Sequence, residues 1–244
     1  MLDLPVYYVS RPADRARQVQ MERQLVLGAR AFERVEAPDL NFTRLRLTLP
    51  PNATIRDVDS ACDHAQCMRA RHESRVYSPR EVQCTASHLA ALSRAQRHRV
   101  ALILEDDVDF MGFRLWTRRL AELVRRAPRD WEILQLHTPP SLYRPCSRRA
   151  YRAWDPTSWS TMAYVIRRRA MRRLLRLSGY PTGLRLEDEV LADLFLYSHA
   201  KTYRLTSPLM RATPFRSTIQ PTAVADALQK EERAASEAWA ACAS

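Results

Sequence analysis

Residues 78–107 read S-P-R-E-V-Q-C-T-A-S-H-L-A-A-L-S-R-A-Q-R-H-R-V-A-L-I-L-E-D-D, and this stretch decides the fold. Ser78 and Glu81 form an S-x-x-E capping box with Pro79 at the first helical position, so a helix beginning here satisfies its own free amides. The basic cluster Arg97, His98 and Arg99 marks its end. Residues 100–104 are then continuously apolar, which predicts a strand covered on both faces in an α/β sheet. Glu105, Asp106 and Asp107 leave that sheet at its carboxyl edge, where open α/β sheets bind ligands.

Working outward, residues 4–9 predict a first strand and 15–27 a helix, joined by the basic turn Ser10, Arg11, Pro12, Ala13, Asp14. Such a strand-to-helix turn can hold a phosphate or a nucleotide base. Within that helix Val19, Arg23 and Val26 predict one mostly apolar side. Further strands are expected at 32–35, 131–136, 161–166 and 202–205, and helices at 113–127, 168–177 and 186–197. The last of these opens on Glu187, Asp188 and Glu189, a placement the helix dipole favours in any helix. Residues 41–77 form an insert longer than an ordinary connection. An alanine-rich helix is expected at 223–241, packed through Val224, Leu228 and Trp239. The expected domain therefore runs over 1–222, with 223–244 as a helical extension.

Composition narrows the function. The four glycines, at 28, 112, 179 and 183, allow neither a phosphate-binding glycine loop nor a dinucleotide fingerprint. The formal charge is +12, which raises nucleic acid as a partner. Lys201 and Lys230 are the only lysines, however, and the arginines are spread over the chain rather than gathered in one tract, so nucleic acid is not the expected partner. Five cysteines in scattered positions fit a reduced compartment better than a disulfide framework. Cys62, His64 and Cys67 could hold a local disulfide or part of a metal site, or be ordinary loop residues. No apolar run reaches the roughly 20 residues needed to cross a bilayer. The expectation is a soluble cytoplasmic protein, working near a membrane or on a soluble acceptor.

Three consecutive carboxylates at a strand end repel one another and are costly in a cleft unless a cation neutralises them. An all-oxygen set suits a hard divalent ion such as Mn²⁺ or Mg²⁺. The alternative is an exposed acidic turn with no ligand.

The run from S-P-R-E-V-Q-C-T-A-S-H to A-L-I-L-E-D-D-V resembles the signature of glycosyltransferase family 25, shared by lipopolysaccharide and procollagen galactosyltransferases. V-Y-Y-V-S-R-P-A-D-R at 6–15, F-E-R-V-E-A-P-D at 32–39, W-E-I-L-Q-L-H at 131–137 and M-A-Y-V-I-R-R-R-A-M-R-R-L-L at 162–175 extend the resemblance in order. It leaves the insert at 41–77 unmatched. The resemblance implies a GT-A-type nucleotide-sugar-binding sheet flanked by helices, with a UDP-sugar donor, Mn²⁺ or Mg²⁺, and inverting transfer to a hydroxyl of a glycan, lipid-linked sugar or protein. It implies Glu105 and Asp107 at the metal, and Asp106 nearer the ribose or donor sugar. Val9, Ser10, Arg11 and Arg15 would lie by the nucleotide and Ser87 and His88 by the donor. Asp188, with Glu187 beside it, is the expected catalytic base, since the family carries an acid at the start of the corresponding late helix. Two departures stand out: the segment after Ala37 lacks the family's usual glycine, and Gln220 occupies a region where a further histidine ligand is common. A donor-binding pseudoenzyme is the rival reading, and a basic nucleic-acid-binding protein a more distant one.

Overall fold

The computed structural model describes residues 4–38, 40, 46–56, 75–110, 116–139, 142, 147, 149–206 and 209–212. The expected helix at 223–241, most of the 41–77 insert and Cys62, Cys67, Cys146 and Cys242 lie outside these residues. In chain order the strands are β1 (Val6–Ser10), β2 (Phe32–Glu36), β3 (Leu47–Thr48), β4 (Thr54–Ile55), β5 (Val76–Tyr77), β6 (Val100–Glu105), β7 (Val108–Asp109), β8 (Ile133–Gln135), β9 (Tyr151–Ala153), β10 (Ala163–Arg167), β11 (Leu184–Arg185), β12 (Thr202–Leu205) and β13 (Arg211–Ala212). The helices are α1 (Arg15–Gly28), α2 (Pro79–Ala95), α3 (Trp116–Arg126), α4 (Arg168–Ser178) and α5 (Ala192–Ser198).

Seven strands form one mixed sheet in the order β2-β1-β6-β10-β8-β12-β9. β2, β1, β6, β8 and β12 run one way, while β10 and β9 run against them. The apolar run at 100–104 behaves as a doubly covered strand must. Ala101 and Ile103 face the layer of α2, α4 and α5, whereas Leu102 and Leu104 face the layer of α1 and α3. β1 and β10 divide their residues between the same two layers, Tyr7 and Tyr164 to one, Tyr8 and Val165 to the other. The fold class is therefore α/β, a central sheet flanked by helices on both faces.

α2 begins as its sequence requires. The Glu81 amide donates to Ser78 Oγ, and Glu81 Oε2 accepts from the Ser78 amide at 2.6 Å, with Pro79 in the first turn. α4 ends at Gly179, whose φ of +67° is the left-handed conformation that closes a helix and that glycine adopts without strain.

Two expectations are corrected. The side of α1 carrying Val19 and Val26 faces solvent, with exposures of 47% and 62%, and its buried residues are Arg17, Gln18, Met21, Leu25 and Gly28. Polar Arg17 and Gln18 are drawn inward because they serve the strand ends rather than the core. The helix expected at 186–197 starts only at Ala192. Just before the expected start, residues 184–185 form strand β11, paired with β3 of the insert, and Glu187 and Asp188 lie in an exposed turn before the helix. Among the described residues no helix is long and apolar enough to cross a membrane.

Candidate active site at the carboxyl edge of the sheet

β1 is followed in sequence by β2 on one side and bordered by β6 on the other, which makes the β1/β6 boundary a topological switch point, the place where α/β sheets open a crevice. Val9 and Glu105 are register partners across it. Ser10 and the turn Asp106–Asp107 therefore emerge side by side.

Glu105 is the best-held group. Its Oε1 accepts from the Thr161 hydroxyl at 2.7 Å and lies 3.2 Å from His88 Nε2. His88 is fully buried on α2, and its Nδ1 is 3.1 Å from the Tyr164 hydroxyl. Burial works against ionisation of Glu105, but His88, Thr161 and the nearby His137 outweigh it and hold the carboxyl below its usual range.

Asp106 and Asp107 are supported differently. Arg17 reaches across from α1, its Nη1 3.3 Å from Asp106 Oδ1 and 3.7 Å from Asp107 Oδ2, and Ser10 hydrogen-bonds Asp106. Among the described residues, this one guanidinium faces two acids that stand beside a third. Burial, and then the charge of Glu105, push Asp107 up to about 7, and burial likewise raises Asp106. Among the described residues, Asp106 Oδ2 and Asp107 Oδ1 are buried without a hydrogen-bond partner. Orphaned carboxylate oxygens of this kind cost free energy unless something else satisfies them. An oxygen-ligated divalent cation fits that donor set.

The far wall of the crevice is the turn before β10. Ser160 has φ +104°, a conformation rare for a residue with a side chain, and its neighbours over-determine it. Its carbonyl accepts from Gln135 Nε2 and the Tyr197 hydroxyl, each at 3.0 Å, and its hydroxyl lies 2.8 Å from His137 Nδ1. The backbone amides of Ser160, Leu194 and Asp193 itself lie near the Asp193 carboxylate and favour its charged form. Burial outweighs these three amides, so the Asp193 carboxyl is raised above its usual range. One strained turn thus joins Glu105, through Thr161, to Asp193 at the start of α5.

The other expected site residues fall as follows. Arg11 pairs with Asp14 at 2.8 Å, Arg15 is exposed at the start of α1, and Gln18 joins the turn to the sheet by donating to the Arg11 carbonyl and accepting from Arg34 at 2.6 Å. Val9 is buried beneath the crevice. Ser87, expected by the donor, spends its hydroxyl on the Gln83 carbonyl one turn back in its own helix at 2.6 Å. Glu187 and Asp188 are not gathered with the strand ends. Asp188 is 80% exposed and lies 3.4 Å from His199 Nε2, at the end of α5 away from Asp193. Residues absent from the expected set are Arg17, Thr161, Tyr164 and Asp193. Asp193 was findable, as an acid in the first turn of a shorter helix. Arg17 had no sequence signal, being one arginine among many.

No family model matches the sequence, and no curated protein matches it. Among solved structures, the chain is similar to a glycosyltransferase involved in glycosylation of the major capsid of PBCV-1, at 9% identity over 94% of this chain and 98% of that one, with a TM-score of 0.41. It is also similar to a mannosyltransferase from Pyrobaculum calidifontis solved with GDP-Man and Mn²⁺, at 13% identity over 98% of this chain and 72% of that one, with a TM-score of 0.42.

Proposed function

We propose that this chain is a glycosyltransferase that moves a hexose from a UDP-sugar to a hydroxyl acceptor with inversion, using Mn²⁺ or Mg²⁺. The observation that carries the reading is the acidic turn at the switch point, with an ionised Glu105 beside two buried carboxylate oxygens that have no hydrogen-bond partner among the described residues. It is joined by the ordered sequence resemblance on both sides of that turn. Glu105 and Asp107 would hold the metal, which when bound neutralises the donor diphosphate as it leaves. Asp106, fixed by Arg17 and Ser10, would face the ribose or donor sugar.

The basic turn Ser10, Arg11 and Arg15, with Gln18 tying it to the sheet, would seat the nucleotide over β1. His88 and Thr161 orient Glu105. Attack by the acceptor oxygen forms the new C1–O bond on the face opposite the diphosphate, and the old C1–O bond breaks with its electron pair leaving on UDP. The acceptor proton needs a base. Asp193 suits the role better than the expected Asp188. It stands in the first turn of α5 as that helix is actually built, backbone amides lie beside its carboxylate, and its raised proton affinity favours taking the proton.

The test is a donor screen for UDP-sugar hydrolysis with and without Mn²⁺. The wild type is expected to turn over at least one donor, and Asp107→Ala to lose it. Asp193→Asn should bind donor and lose transfer to acceptor, while Asp188→Asn keeps it. UDP-dependent thermal stabilisation with no hydrolysis of any donor would replace the enzyme with a binding protein. Full transfer by Asp193→Asn would remove the base.

A further inference from the structure

We infer that Cys84, His88 and Glu105 form a second, softer metal site, a three-ligand cradle for a thiophilic divalent cation of the zinc class. The Cys84 thiol, one ring nitrogen of His88 and one carboxylate oxygen of Glu105 all lie within 4.8 Å of one another. Cys84 and His88 are four residues apart on α2, so their side chains stack on one helical face, and Glu105 closes the third side from the end of β6. Zinc–sulfur, zinc–nitrogen and zinc–oxygen bonds of about 2.0–2.3 Å put tetrahedral ligands roughly 3.3–3.8 Å apart. The His88–Glu105 separation of 3.2 Å is already close to that, and the thiol needs to close by about 1 Å at most.

The surroundings match what a metal-binding histidine requires. The Tyr164 hydroxyl at 3.1 Å from His88 Nδ1 can either donate to that nitrogen or accept from it. In the first case Nε2–H faces Glu105, and in the second the Nε2 lone pair is free for a cation, with the ring held by its other nitrogen. Thr161 orients Glu105 at 2.7 Å. Glu105, Asp193 and Asp107 place a negative field on the thiol, and the field that opposes a lone thiolate favours a dication beside it. Cys84 and Glu105 are only partly buried, which leaves a side open for a water as fourth ligand. Binding replaces the thiol proton, which leaves to solvent, so the charge of the site rises by one. This donor set is not the all-oxygen one of Glu105 and Asp107, but it shares Glu105. Occupancy by zinc therefore withdraws Glu105 from the catalytic metal, a consequence that rests on the function proposed above, whereas the binding itself does not.

The experiment is titration of the reduced full-length chain with Co²⁺, followed by displacement with Zn²⁺. One equivalent of Co²⁺ should give tetrahedral d–d absorption and a thiolate-to-cobalt charge-transfer band, both lost on adding Zn²⁺. Cys84→Ser, near-isosteric, should fold by circular dichroism and lose the charge-transfer band. Tyr164→Phe should keep the band with about tenfold weaker affinity. Absence of the band in the wild type, or a band of equal strength in Cys84→Ser that assigns the thiolate to another cysteine, overturns the site. A third arm measures UDP-sugar hydrolysis in Mn²⁺, where Zn²⁺ should inhibit the wild type more than Cys84→Ser. A band that forms and depends on Cys84 upholds the site even if no UDP-sugar is turned over, and in that case only the proposed function falls.

Discussion

Replacing Arg17 by methionine keeps the apolar stem of the side chain and removes the cation that, among the described residues, pairs with both Asp106 and Asp107. Arg17 and Asp106 have side chains only 9% and 8% exposed, so solvent screens their contact poorly. At an effective dielectric constant of about 20, a 3.3 Å contact is worth about 5 kcal/mol gross, and the 3.7 Å contact to Asp107 a little less. Arginine is itself costly to bury, so much of this is offset, and removing one partner of a buried pair leaves a net loss of about 3–5 kcal/mol. Asp107 is 20% exposed, which favours the lower end. Urea unfolding of Arg17→Met should therefore show a midpoint lower by about 1 M. Asp106→Asn in the same background removes the charge left unpaired, and the double mutant should be about 2 kcal/mol more stable than the sum of the singles, a coupling typical of residues in contact. An Arg17→Met protein within about 0.5 kcal/mol of wild type, or strict additivity in the double mutant, would show that Arg17 is not what makes the acidic turn tolerable.

Three further outcomes follow from the scaffold. Glu132 is buried and binds both terminal guanidinium nitrogens of Arg173, at 3.0 and 2.6 Å, as well as Arg169 at 2.9 Å and the Lys201 amide. Burial opposes its ionisation, but Arg173 and the Lys201 amide outweigh that and hold the carboxyl below its usual range. Because the folded value is depressed, its contribution is complete above the unfolded value of about 4.5 and is lost as pH falls through the folded value. Glu132→Gln should thus cost about 1–3 kcal/mol at neutral pH and flatten the acid limb of a stability-against-pH curve. Gly179→Ala puts a Cβ at positive φ, 3.0 Å from Arg185 Nε, and should lower stability by about 1–2 kcal/mol in denaturant. Ser78→Ala removes the acceptor for the Glu81 amide and should cost about 1 kcal/mol, read from the shift in thermal midpoint.

The sheet and its helices were legible where local chemistry dictates them. The capping box of α2, the doubly buried run of β6 and the punctuation of α4 by Gly179 each state their element without reference to the rest of the chain. Where tertiary pairing competes with local preference, the sequence misled. Residues 186–191 read as the opening turns of a helix, but they follow a strand at 184–185 paired with β3, and α5 starts only at Ala192. The inward side of α1 was misread for a related reason, since periodicity counts apolar residues and cannot see that Arg17 and Gln18 have polar partners waiting on the sheet.

By itself, then, the sequence determined that an acidic turn would follow a buried β6 and a basic turn would follow β1, because apolar continuity and helix punctuation are properties of neighbours in the chain. Which side chains meet there was decided only by the tertiary structure. Arg17 is 89 residues from Asp106 and Thr161 is 56 from Glu105, and contacts at such separations are set by sheet order and helix placement, which no local pattern encodes. The same holds for the two late acids. Asp188 and Asp193 differ little as neighbours in sequence, yet the start of α5 leaves the first in solvent with His199 and ties the second to the Ser160 turn.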